Sequence, residues 1–231
     1  MIIHGFTKTT LLDYPGHVAS TVFTGGCNFR CPFCHNGNLV LHPNDYPTIA
    51  EDEILAFLKK RKGIVSGVCI SGGEPTLQQD LTSFISKIKS LDILVKLDTN
   101  GYRPDVLKSL VSEDLIDYVA MDIKAGRNNY GKACGLDNVD MSKIEESASF
   151  LLKGNLPYEF RTTVVNGIHT DEDFKDIAIW IGGAKKYFLQ SYTEKDSVID
   201  KTCKSFSDRY LDHFLNIVIK TIPSAELRGI D

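Results

Sequence analysis

Apolar residues fall into two alternating patterns along the chain. Short unbroken runs read as buried strands: Val18 to Phe23, Gly67 to Ser71, Ile93 to Leu97, Tyr118 to Ile123, Tyr158 to Val165 and Lys186 to Gln190. Between them, apolar residues recur every three or four positions and read as helices. Thr48 to Glu51 has the form of a capping box, followed by Ile54, Leu55 and Leu58 at helical spacing and a stop at Gly63. Gln78 to Ser90 carries Leu81, Phe84, Ile85 and Ile88 on one face, and Pro104 to Val111 has proline in its first turn. Ser142 to Leu152 is helical, Thr170 to Asp173 opens the helix that holds Trp180, and Gly182-Gly183 closes it. Residues 197–215 read as a helix with Phe206, Tyr210, Leu211 and Phe214 on one face. Asn216 to Ile222 fits a last strand or a helical extension equally, and residues 125–139, rich in glycine and asparagine, read as a long loop.

Strand–helix–strand alternation implies a parallel sheet with right-handed crossovers. Six units are fewer than the eight of a closed barrel. The expected fold is α/β: a partial, open parallel (β/α)6 barrel, one domain over residues 1–231, with chemistry at the C-terminal ends of its strands.

Composition narrows the function. A formal charge of −4 gives no basic field for nucleic acid. The short run Lys59-Lys60-Arg61-Lys62 ends a predicted helix, where cations suit the dipole. No apolar stretch reaches membrane-spanning length and MIIHGFTKTT lacks the regions of a signal peptide, so a cytoplasmic, reducing compartment is expected, with no nucleic acid or membrane as partner.

The candidate chemistry centres on the loop 24–36, which follows the first predicted strand and contains Cys27-Asn-Phe-Arg-Cys31-Pro-Phe-Cys34-His35-Asn36. A loop this short can aim three sulfurs at one object. A four-iron cluster takes four ligands, so three thiolates leave one iron open. The alternative is structural zinc with a histidine as fourth ligand; His35 directly follows Cys34 and fits poorly, His42 better. A disulfide framework does not suit a chain of this length without a signal peptide.

Other strand ends carry polar residues, each with a plainer reading beside it. Ser71-Gly72-Gly73-Glu74-Pro75 permits close backbone approach to a ligand and offers a carboxylate, or is an ordinary strand-to-helix turn. Asp98, Thr99 and Asn100 bind something or simply turn at Asn100-Gly101. Asp122 and Lys124 bind a polar ligand or form a surface ion pair. Arg161, if turned inward, requires an anionic partner. Gln190 and Tyr192 are candidates on the sixth strand, whereas His169, just before a helix cap, fits a surface histidine better than a base.

With the Cys27-x3-Cys31-x2-Cys34 loop after the first strand and Gly72-Gly73-Glu74-Pro75 after the second, the chain resembles the radical S-adenosylmethionine (SAM) superfamily. Leu11 to Gly16 (LLDYPG), Gly26 to Cys31, Cys34-His-Asn36, Asp98 to Gly101, Met121 to Lys124 and Arg228-Gly229 narrow the resemblance to glycyl-radical-enzyme activating enzymes, with the anaerobic ribonucleoside-triphosphate reductase activating proteins as the nearest match, over nearly the whole chain.

The resemblance implies a [4Fe-4S] cluster on Cys27, Cys31 and Cys34, with the open iron taken by the methionine end of SAM. It implies that Phe33 and His35 lie near the adenine, and that Gly72, Gly73 and Glu74 hold the methionine amino group. Asp98, Thr99 and Asp122 would serve the methionine end or a monovalent cation, Lys124 and Arg161 the carboxylate or ribose, with Asn100 a further cofactor-binding residue and Gln190 a polar contact on the sixth strand. Where related activases carry a histidine on that strand, this chain has Gln190-Ser-Tyr192, which leaves the ribose contact open there. No cysteine lies between Cys34 and Cys69, so one cluster is expected, with Cys69, Cys134 and Cys203 structural. The implied activity is reductive cleavage of SAM to a 5′-deoxyadenosyl radical, which takes a hydrogen atom from a glycine of a partner glycyl radical enzyme, with flavodoxin or ferredoxin as electron donor. The alternatives are a radical SAM enzyme acting on a small molecule such as a pterin, and a non-catalytic metal-binding protein.

Overall fold

The computed structural model describes residues 1–229; the last two positions of the expected domain lie outside the described residues. The strands are β1 (Ile3–Thr10), β2 (Ala19–Thr24), β3 (Gly67–Gly72), β4 (Leu94–Thr99), β5 (Tyr118–Asp122), β6 (Tyr158–Val164), β7 (Tyr187–Ser191) and β8 (Ala225–Arg228). The helices are α1 (Gly37–Leu41), α2 (Glu51–Lys60), α3 (Leu81–Lys89), α4 (Pro104–Ser112), α5 (Tyr130–Cys134), α6 (Met141–Lys153), α7 (Asp171–Trp180) and α8 (Asp208–Val218). The eight strands follow chain order in one open sheet, mostly parallel. Every strand expected from an apolar run forms within two residues of its expected ends.

The sheet also has two strands that the apolar pattern did not announce. β1 buries only Ile3 fully, and its backbone pairs antiparallel with β2. β8 has four residues and pairs with β7. Strands held mainly by a neighbour's hydrogen bonds carry little hydrophobic period of their own. Asn216 to Ile222 continues α8 and its C-terminal turn; the strand begins beyond it, at Ala225.

The described residues divide into two compact units, 1–28 with 38–99 and 103–120, and 29–37 with 100–102 and the chain from 121 onward. In the first unit, Ile54 and Leu58 of α2 and Phe84, Ile85 and Ile88 of α3 are buried, as are Val68 and Ile70 of β3 and Val95 and Leu97 of β4. Tyr14, Ala19 and Tyr118 form a second cluster, and Gly67 makes room for the Tyr14 ring, because a Cβ there would lie 2.6 Å from it. The capping box expected at Thr48 does not form. The peptide of Ile49 bonds to Ile3 (2.8 Å), which keeps this stretch extended, so α2 starts at Glu51 after an Ala50 cap. The Glu51 carboxylate bonds instead to Lys87 (2.8 Å) and the Met1 amino group (2.7 Å).

In the second unit, α7 and α8 meet through Phe174 and Phe214, stacked with centroids 4.4 Å apart. Thr170 opens α7 as expected, and its hydroxyl and the Asp173 carboxylate form a capping box. The helix expected over 197–215 starts only at Asp208, and the long loop at 125–139 contains a 3-10 turn and α5. Among the described residues, no helix is long and apolar enough to cross a membrane.

Phe174 is fully buried. Phe174→Ala is expected to cost about 3–5 kcal/mol, seen as a lower urea midpoint at unchanged slope.

Candidate active site

In the first unit, parallel pairing sets Thr24 of β2 against Gly72 of β3. The two chains stay together past the strand ends: Gly73 donates to the Thr24 carbonyl (2.8 Å) and Glu74 to the Gly26 carbonyl (2.9 Å). A Cβ on Gly73 would lie 1.8 Å from the Gly26 oxygen, and Gly72 has φ +114°, so both positions require glycine. This contact brings the backbone immediately before Cys27 against the Gly-Gly-Glu turn.

The Glu74 carboxylate, 1% exposed, receives three hydrogen bonds on Oε1: from the Thr76 peptide (3.1 Å), the Thr76 hydroxyl (2.5 Å) and the Thr99 hydroxyl (2.8 Å). Its position is therefore set by the turn itself and by the end of β4. Beside it, Asp98 accepts from Ser71 (3.1 Å) and pairs with the buried Lys96, whose ammonium also lies 3.7 Å from the Cys69 sulfur. Lys96 was missed. A lysine inside the apolar run Ile93 to Leu97 was the available signal, because a buried charge needs a partner.

In the second unit, Asp122 at the end of β5 accepts from Lys124 (2.9 Å) and from Arg161 Nε on β6 (3.0 Å). Arg161 thus has the anionic partner that an inward arginine requires. Burial opposes the Asp122 charge, but Arg161 and Lys124 outweigh it and push the carboxyl down to about 2. Burial likewise opposes the Lys124 charge, and Asp122 and Cys31 overcome it, so the lysine stays an ammonium. The peptide of Ile123 bonds to the Arg161 carbonyl (2.8 Å), which fixes the two strand segments that carry this pair.

His169 is buried rather than at the surface. Nδ1 accepts from the Val165 peptide (3.0 Å), so the proton sits on Nε2 and is donated to the Lys124 carbonyl (2.8 Å). Burial holds the ring below its usual pKa and hence neutral. The rings of Phe33 and Phe174 pack around it and exclude the water that a surface histidine would have.

Cys27 belongs to the first unit, and Cys31 and Cys34 to the second. The stretch after Cys27 is held inside the second unit at several points. Arg30 donates to the Cys134 carbonyl (2.8 Å), and Asp200 donates to the Pro32 carbonyl (2.8 Å). His35 stacks on Tyr192 with centroids 5.4 Å apart and an interplanar angle of 11°, and its ring nitrogen lies 2.8 Å from the Thr193 carbonyl. The Cys31 thiol is held below its usual pKa, chiefly by a hydrogen bond from the Cys134 thiol, with burial opposing and the Lys124 charge assisting. Burial, and then Cys31, push the Cys34 thiol up. Cys134 is buried, and its carbonyl holds the loop at Arg30.

Asn100 is buried and accepts from the Tyr102 peptide (3.0 Å), as the turn reading expected. Gln190 lies on β7 opposite Thr163 and Arg228. Among the described residues, no three His, Cys, Asp or Glu side chains are gathered as a single metal ion would need.

A profile of the radical SAM superfamily matches residues 21–181, more than half of the chain. The chain belongs to the radical SAM superfamily. This radical SAM chain is 32% identical over 239 residues to MJ1227 of Methanocaldococcus jannaschii, inferred by name to be a glycyl-radical enzyme activating enzyme, and the match covers 96% of both proteins. It is 31% identical to an inferred GTP 3′,8-cyclase of Thermococcus kodakarensis, over 64% of this chain and 48% of that protein. Among solved structures, SuiB of Streptococcus suis bound to its precursor peptide SuiA shares the fold at TM-score 0.70 and 16% identity, covering 90% of this chain and 48% of SuiB. HemN of Escherichia coli does so at TM-score 0.62 and 17% identity, covering 92% of this chain and 54% of HemN. The chain therefore spans about half the length of the cyclase and of both these structures, and nearly all of MJ1227. Membership makes it an enzyme, and the family implies a [4Fe-4S] cluster and SAM. The donor set suits them: three cysteines in eight residues, with the Cys31 thiol held below its usual pKa.

Because the Asp122 carboxyl is lower when folded than its ordinary value of about 4, its pairing contributes stability in full above about pH 4, and this is lost as pH falls toward about 2. Urea midpoints measured across that window are expected to fall more steeply for wild type than for Asp122→Asn. Gly73→Ala is expected to displace the Gly26 backbone and lower the thermal midpoint, since neither backbone can yield 1 Å without breaking the Gly73–Thr24 or Glu74–Gly26 bond.

Proposed function

We propose that this chain, acting as one radical SAM domain over residues 1–231, is a glycyl-radical-enzyme activase, with an anaerobic ribonucleotide reductase as its partner. The observation that carries the reading is the end-to-end match to MJ1227 over 96% of both proteins, where the cyclase match spans only 48% of the cyclase. An activase needs the barrel and little else, because its substrate is another protein.

In this reading Cys27, Cys31 and Cys34 would hold the cluster, leaving it open to the methionine end of SAM. Gly72 and Gly73 let the backbone approach the methionine. Glu74 accepts from its ammonium, held in place by Thr76 and Thr99. Lys124 and Arg161, balanced against Asp122, present positive charge to the carboxylate or ribose. Phe33 and His35 cover the adenine, and Gln190 supplies a polar contact on β7. Asp98 is already paired by the Lys96 ammonium, which supplies there the single positive charge a monovalent cation would bring; Asn100 shapes the turn behind it. The cluster and SAM, when bound, would supply reductive cleavage of the SAM carbon–sulfur bond and abstraction of a hydrogen atom from a glycine of the partner. The chain's own part is to orient that carbon and exclude water from it. Flavodoxin or ferredoxin supplies the electron in a reducing cytoplasm.

The test is anaerobic. The chain is reconstituted with iron and sulfide, reduced and given SAM, and 5′-deoxyadenosine is measured. Wild type is expected to form it, Cys31→Ala to form none, and Glu74→Ala to bind SAM at least tenfold more weakly. Adding anaerobic ribonucleotide reductase is expected to produce a glycyl radical signal. A cyclised nucleotide formed from GTP instead would move the chain to the small-molecule class.

A further inference from the structure

Arg228, near the end of the chain, lies on the same face of the sheet as Arg161. Registered partners in a parallel sheet, and every second residue along a strand, project on one face. The register sets Arg161 beside Phe188, and Thr163 beside Gln190 beside Arg228. On the opposite face Tyr187 and Leu189 are fully buried, whereas Thr163, Phe188, Gln190 and Arg228 are only partly so. A polar row therefore crosses β6, β7 and β8 at about 4.8 Å per strand. It ends at Arg228, on the last strand of the sheet.

Arg228 is fixed in that row from two sides. Its guanidinium carbon lies 3.6 Å from the centre of the Phe188 ring. The fork reaches across β7 to Glu159 on β6, with Nη1 donating to Oε1 (3.1 Å) and Nη2 to Oε2 (3.4 Å). The Glu159 side chain is 1% exposed and that of Arg228 37%. Glu159 balances the charge, so Arg228 offers hydrogen-bond donors rather than net positive charge. A guanidinium has five N–H donors, and Glu159 takes two of them. Thr163 and Gln190 add a hydroxyl and an amide. Such a row suits neutral acceptors, the carbonyls of a peptide backbone, better than a phosphate or a free carboxylate.

We propose that this row is the docking track for the partner's glycine segment, with Arg228 donating to a backbone carbonyl of that segment and so setting its affinity. This rests on the reading of the chain as an activase whose substrate is a protein. A glycine has only its backbone to be recognised by, and backbone carbonyls are obligatory hydrogen-bond acceptors. The track also leads to the right place. Thr163 lies two residues beyond Arg161 on the same strand and face, and Arg161 pairs with Asp122 among the residues proposed to hold SAM. A segment laid along the row from the edge of the sheet thus arrives at that network.

The experiment titrates the reconstituted, reduced chain and SAM with anaerobic ribonucleotide reductase and follows the glycyl radical by electron paramagnetic resonance. Arg228→Met keeps the stem over Phe188 and loses the donors. It is expected to raise the reductase concentration for half-maximal radical formation about tenfold, the loss of one good hydrogen bond. Thr163→Val, nearly the same in shape, is expected to raise it about threefold and decides the matter alone if Arg228→Met does not fold. The SAM dissociation constant and thermal midpoint are measured on the same proteins. Folded variants with wild-type half-saturation overturn the track, even where the thermal midpoint falls, and leave the activase reading intact. A rise matched by an equal loss of SAM affinity also overturns it, because Arg228 then serves SAM. A wild-type chain that cleaves SAM but forms no radical on the reductase overturns both the track and the partner reading.

Discussion

Two backbones meeting without a side chain between them, at Gly26 and Gly73, set the first half of the site. Parallel strands β2 and β3 would ordinarily diverge once their ladder ends. Here two further peptide hydrogen bonds carry the pairing past it, and they exist only because residue 73 has no Cβ. That contact decides where Cys27 leaves the sheet and where Glu74 stands. Glu74 then needs partners, because a carboxylate taken out of water is costly unless it is hydrogen-bonded. Thr76 and Thr99 provide them, and in doing so they tie the turn after β3 to the end of β4.

The second unit solves a similar problem with charge. Asp122, Lys124 and Arg161 lie on segments adjacent in the sheet, and each would be expensive to bury alone. Together they form a network of two cations and one anion. His169, neutral and doubly hydrogen-bonded, pins the backbone at Lys124 from behind. The loop from Phe29 to Gly37 is then clamped by α5 on one side and by residues 192–200 on the other. Within each unit, charge, hydrogen bonding and close packing thus act on the same few residues, and the function proposed for the chain draws on both.

Much of this was legible in the chain. Six parallel strands could be read because a strand buried on both faces is a continuous apolar run. The Cys27, Cys31 and Cys34 spacing and the Gly72-Gly73-Glu74-Pro75 turn could be read because such chemistry is local: a few consecutive residues must face one object. β1 and β8 escaped because their stability comes from a partner's backbone, and a backbone has no residue code. Thr48 looked like a helix cap on local grounds, and a hydrogen bond from the Ile49 peptide to the Ile3 carbonyl overrode it.

What the sequence determined by itself is therefore the order of the six central strands, the cysteine loop, and the set of polar residues at the strand ends. Only the tertiary structure decided which of these act together. It moved His169 from the surface to the interior, gave Arg161 its anion, and put Lys96 against Asp98. It also tied the cysteine loop at Arg30 to the carbonyl of Cys134, roughly a hundred residues away. The physical reason is that a motif is written by neighbours in sequence, whereas a buried charge or thiol is satisfied by whatever the fold brings to it, and that partner can come from anywhere along the chain.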